Sequence, residues 1–82
     1  MASMPDDLEL SARFVAALFT ATQGRPGHFR YIEDIAAWAG IEADAEVERA
    51  LRAAESAGFL VTHAHKPMAM LTEEGLDAAR SG

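Results

Sequence analysis

The chain contains no cysteine, which excludes disulfides and thiolate metal sites and favours an intracellular setting, where such bonds are rare. Aromatic residues are scarce, at 7% of the chain with one Trp and one Tyr. Alanine supplies much of the apolar half of the composition, so the core is expected to be closely packed helix rather than aromatic bulk. The longest strongly apolar stretch, Phe14 to Phe19, falls far short of the ~20 residues a membrane-spanning helix needs. Met1 to Asp7 is acidic and lacks the basic start of a secretory signal. A cytoplasmic location and no membrane contact are therefore expected. Bases are also few: seven Lys and Arg stand against thirteen Asp and Glu, a net charge of −6. The basic footprint of a nucleic-acid binder is thus missing from the whole, and any basic patch must be local.

What is present is enough for one domain. Eighty-two residues leave no room for a second, and a chain of this size buries only ~60–65% of its unfolded surface. No repeat, linker or low-complexity segment interrupts it. A first helix is expected over Met4–Gln23, capped by Ser3 with Asp6 and Asp7 near its positive end. Leu8, Ala12, Val15, Leu18, Phe19 and Thr22 follow helical spacing, and Leu10, Phe14 and Ala17 widen the stripe. This wide apolar arc implies either deep burial or a homodimer seam. Gly24 and Pro26 end the helix.

His28-Phe29-Arg30 reads as a very short strand with Phe29 toward the core. Tyr31–Ala39 reads as a second helix whose Ile32, Ile35, Ala36 and Ala39 share a face, closed by Gly40 and locked by Ile41. A third helix is expected from an Asp44 cap to Ala57, with Val47, Ala50, Leu51 and Ala54 inward and Gly58 as its stop. The period then changes to alternation. Phe59–His63 and Met68–Leu71 read as two strands joined by Ala64–Pro67, with Met68 and Met70 expected to pack in the core. Thr72 caps a last helix containing Glu73, Glu74, Leu76 and Ala79.

The order is α-β-α-α-β-β-α, mostly α with a small β-wing. Three segments carry a family likeness: Ile35-Ala36-Ala37-Trp38-Ala39-Gly40-Ile41, the run Val47 to Val61, and Leu71-Thr72-Glu73-Glu74-Gly75-Leu76. Together they resemble the winged helix-turn-helix of MarR-like and PadR-like bacterial transcriptional regulators, over roughly Phe29 to Ala79. That resemblance implies DNA as the partner, with the third helix in the major groove and the wing on backbone or minor groove. Carried over by position, Asp44, Ala45, Glu46, Glu48, Arg49 and Arg52 face the groove, His65 and Lys66 form wing contacts, and Arg30 and Tyr31 contact phosphate.

Charge argues the other way. Glu42, Asp44, Glu46 and Glu48 put four acids on the segment that should meet phosphates, and neutralising phosphate supplies nearly all non-specific affinity. Arg49 stands three residues after Glu46 and Arg52 four after Glu48, so both can be consumed in intrahelical pairs. Arg25, Arg30 and Lys66, with His28, His63 and His65, are the better phosphate candidates. Two functions remain open: a DNA-binding regulator, or an acidic winged-helix module that binds protein through Glu46, Glu48 and Trp38, since Trp is enriched at interface hot spots. His28, His63 and His65 could supply three nitrogens to a metal ion, but isolated histidines around a turn more often face solvent, and no metal or cofactor is expected. No nucleophile motif, phosphate-binding glycine loop or catalytic carboxylate pair is present, and an enzyme is not expected.

Overall fold

A computed structural model describes residues 6–81. Four helices surround a small antiparallel sheet in the order α1 (Asp7–Thr22), β1 (Arg30–Tyr31), α2 (Ile32–Ala39), α3 (Asp44–Ser56), β2 (Leu60–Thr62), β3 (Met68–Leu71) and α4 (Glu73–Ser81). The strand order is β1-β3-β2. Leu60 faces Leu71 and Val61 faces Met70 across β2–β3, while Arg30 faces Ala69 and Tyr31 faces Met68 across β1–β3. No helix among the described residues is long and apolar enough to cross a membrane.

The first helix starts where its sequence supplies an acceptor. The Asp6 carboxylate accepts the Glu9 N–H at 2.8 Å, and Asp7 and Glu9 occupy the first turn, where negative charge meets the positive end of the helix dipole. The expected Ser3 cap lies outside the described residues. The third helix differs from expectation: Ala43 precedes it without a side-chain cap bond, and Asp44 is its first helical residue. Thr72 does cap α4, its hydroxyl accepting the Gly75 N–H at 3.1 Å while donating to the Gly58 carbonyl.

Three helices end in the same way. Ile41 N–H reaches the Ala36 carbonyl and Gly40 N–H the Ala37 carbonyl; Phe59 N–H reaches Ala54 and Gly58 N–H reaches Glu55; Gly24 N–H reaches Phe19 and Gln23 N–H reaches Thr20. This paired 6→1 and 5→2 pattern is the Schellman closure, which needs one left-handed residue. Gly40 (φ 73°) and Gly58 (φ 80°) supply it for α2 and α3, but α1 uses Gln23 (φ 56°), the one non-glycine residue with positive φ among those described. A side chain costs energy there. Gln23→Gly is therefore expected to stabilise the fold by about 0.5–1 kcal/mol, read as a rise of about 3–6 °C in thermal midpoint. A lower midpoint would contradict the strain assigned to Gln23.

The core gathers Leu10, Phe14, Val15 and Leu18 of α1, Ile35 and Ala36 of α2, Ala50 and Ala54 of α3, Leu60, Ala69 and Leu71 of the sheet and Leu76 of α4, with Ile41 from the α2–α3 turn. The buried line on α1 is thus Leu10-Phe14-Leu18, which corrects the stripe expected through Leu8 and Ala12. Leu8 is 77% exposed, and Ala12 is exposed as well. Both arcs of α1 are apolar; the one bearing the larger side chains is buried against α2 and α3. Met68 and Met70 are corrected too: in β3 the fully buried positions are Ala69 and Leu71, and the methionines are half-buried on the opposite face. The short strand is Arg30–Tyr31 rather than residues 28–30, and Tyr31 is the residue before α2, not its first turn.

Candidate functional site

Two surfaces hold the residues singled out from the sequence, the outward side of α3 and the end of the sheet near the β2–β3 turn. On α3, Ala50 and Ala54 are buried and Val47 and Leu51 are half-buried. At 100° per residue this turns Asp44, Ala45, Glu48, Arg52 and Glu55 outward, and all five are exposed. Arg52 donates to the Glu48 carboxylate at 2.8 Å, the i,i+4 pair that the spacing allows. Thr62 donates to Glu55 at 3.3 Å.

Arg49 and Glu46 sit elsewhere. Both are half-buried, and Arg49 Nε donates to Asp7 Oδ1 at 2.7 Å. That bond joins α3 to the start of α1 across 42 residues of sequence. The guanidinium is therefore directed at α1, away from the side where Glu48 and Arg52 project. Three carboxylates and one paired guanidinium carry the charge of the outward face.

The sheet end is richer in bases. Main-chain pairing of Ile32 N–H with the Pro67 carbonyl at 2.9 Å holds the β2–β3 turn against the start of α2, so the main chain of Arg30 and Tyr31 lies at the same end of the sheet as His65 and Lys66, all four exposed. The His63 Nδ1 accepts N–H groups from His65 at 3.0 Å and Lys66 at 3.2 Å. Its ring packs edge-on to Phe29 at 5.1 Å and to His65 at 6.3 Å. His63 is thus a turn-forming acceptor, and among the described residues no group of three His, Asp or Glu side chains is placed to hold a metal ion. Arg30 donates to the Ala21 carbonyl at 2.8 Å. It places positive charge at the carboxyl end of α1, whose last turn has no base of its own.

Trp38 lies outside the core stripe of α2 and is 64% exposed. Two grooves complete the surface. One, of about 410 Å³, runs between α1 and α4 along Leu8, Ala12, Val15, Ala16, Phe59 and Ala79, on the arc where the sequence suggested a homodimer seam. The other, of about 670 Å³, lies between α2 and the start of α3 and is bounded by Ile32, Glu33, Ala36, Ile41, Glu42 and Val47 among others. Sequence reasoning did not find this second groove. Its trace was the spacing of Glu33, Ala37 and Gly40 along one flank of α2, which becomes a wall only once α3 is set beside it. No family model matches the chain, and no curated protein or solved structure does.

Proposed function

We propose that the chain is a winged helix-turn-helix module that binds a protein partner through its acidic surface, rather than reading DNA with its third helix. The element order and the β1-β3-β2 sheet support the winged-helix scaffold, with α2 and α3 as the helix-turn-helix and β2–β3 as the wing. The observation that carries the functional reading is the outward face of α3. A major-groove helix must approach a duplex bearing a negative charge about every 1.7 Å of axis. Asp44, Glu48 and Glu55 face outward there, Arg52 is held by Glu48, and Arg49 is held by Asp7. Glu46, Glu48 and the exposed Trp38 are the residues such a module offers a partner.

The experiment is fluorescence anisotropy of a labelled random duplex at low salt, with wild type beside Glu48→Lys/Glu55→Lys. If those acids are what keeps DNA away, the double variant acquires micromolar, salt-sensitive binding that the wild type lacks. A variant that folds normally and still ignores DNA would count against the reading.

One observation favours the second reading, a DNA-binding transcriptional regulator, probed by the same assay. Arg30, Tyr31, His65 and Lys66 share one end of the sheet, where a wing would touch phosphate. Under that reading Lys66→Glu weakens wild-type binding to every sequence alike.

A further inference from the structure

We infer that the groove between α2 and the start of α3 is the docking site for a cationic amphipathic peptide segment of the partner, an inference that rests on the protein-binding reading above. Its floor is apolar: Ala36 and Ile41 are buried, and Ile32 and Val47 are half-buried. Its rim carries Glu33, Glu42 and Asp44, all exposed, and no lysine or arginine lines it. A volume of about 670 Å³ is in the range that accepts a few side chains. The shape therefore asks for aliphatic anchors, and the rim asks for positive charge beside them.

Charge favours a cationic occupant in three ways. First, the arginines Arg13, Arg49, Arg52 and Arg80 pair with Glu9, Asp7, Glu48 and Asp77. Among the described residues Glu33 and Glu42 have no such partner, so their field is left for an incoming cation. Second, the carboxyl end of α2 closes at Gly40 on this groove, and its last turn contains no base. The negative end of that helix dipole therefore adds to the carboxylates. Third, the positive end of α3 also lies here, but Asp44 and Glu46 in its own first turn already answer it. An anionic ligand would meet repulsion from Glu33, Glu42 and Asp44 along the rim. A lysine or arginine flanking a leucine meets attraction at the rim and apolar contact below, the helix-in-groove arrangement of amphipathic recognition.

The test uses 15N-labelled chain titrated with a synthetic leucine–lysine amphipathic peptide of roughly four helical turns, beside the same peptide with glutamate for lysine. The lysine peptide is expected to give saturable shifts centred on Ile32, Glu33, Gly40, Ile41 and Glu42, and the glutamate peptide none. Glu33→Lys/Glu42→Lys, and separately Ala37→Arg on the exposed groove wall, should each weaken binding at least about tenfold. Glu73→Lys/Asp77→Lys, on α4 and outside the groove's lining, should weaken it by no more than about threefold, since those acids act only through screened distance. Shifts centred on Glu48, Arg52 and Glu55, or greater loss in that second variant, would overturn the groove assignment and leave the protein-binding reading standing. Absence of saturable binding by the wild type, or equal binding of both peptides, would overturn it as well. Failure of the underlying reading shows separately, as wild-type binding to the random duplex.

Discussion

Phe14→Ala is expected to lower the thermal midpoint by about 15–30 °C, the largest effect of any single substitution considered for this chain. Phe14 is fully buried and is the largest such side chain. It stands midway along the Leu10-Phe14-Leu18 line of α1, the helix that packs against α2, α3 and α4. Truncating a buried phenylalanine removes the transfer energy of the ring and leaves a cavity, together costing about 3–5 kcal/mol. A domain of this length holds only about 4–12 kcal/mol of net stability, so the loss takes up much or all of it. Phe14→Leu, which keeps most of the volume, should cost less than about 2 kcal/mol. Melting followed by far-ultraviolet circular dichroism separates the two. A shift under 5 °C for the alanine variant would contradict the burial assigned to this ring.

Gly75→Ala should also be strongly destabilising, and here the sign itself is informative. In an ordinary helix interior, glycine to alanine gains about 1 kcal/mol. Gly75 is helical and buried, yet a Cβ built on it would lie far inside 3.0 Å of the Phe59 carbonyl oxygen and also collide with its carbon. Both are main-chain atoms, so neither can rotate away. The same carbonyl accepts the Thr72 N–H at 3.0 Å, and Thr72 in turn caps α4 through Gly75 N–H and bonds Gly58. Moving α4 outward therefore strains the joint between α3, β2 and α4 together. The expected cost is about 3 kcal/mol or more, the upper range for overpacking, measured by the same melt. A stabilised Gly75→Ala would show that α4 does not sit on Phe59.

These two positions also mark what was legible in the sequence. Gly75 lies in the Leu71-to-Leu76 segment that carries part of the family likeness; the structure gives the glycine its reason, a main chain passing too close for a side chain. Gly40 with Ile41, and Gly58, were readable because a left-handed stop is a local device. Thr72 was readable for the same reason. Faces were harder where both sides are apolar. Helical period alone could not choose between the Leu8 and Leu10 arcs of α1, and alternation in Met68-Ala69-Met70-Leu71 could not say which pair lies inward, since all four are apolar.

On the candidate site, the Arg52–Glu48 pair was legible because both partners lie one turn apart. Arg49 was not, because its partner Asp7 lies on another helix, and no local spacing reports that. The α2–α3 groove escaped for the same reason. In the sequence Glu42 and Asp44 stand out only as obstacles to DNA and Glu33 not at all, and their convergence over Ile32, Ala36, Ile41 and Val47 requires two helices and a turn to be placed together.

Under the proposed function the outward face of α3 turns DNA away. The most direct measurement of this is the anisotropy of a labelled random duplex titrated with the wild-type chain at about 50 mM salt, where non-specific phosphate binding is strong in any true DNA binder. The expected trace is flat to about 50 µM protein. Saturable binding below about 1 µM that weakens steeply with added salt would contradict the claim and restore α3 and the wing as a DNA-reading surface.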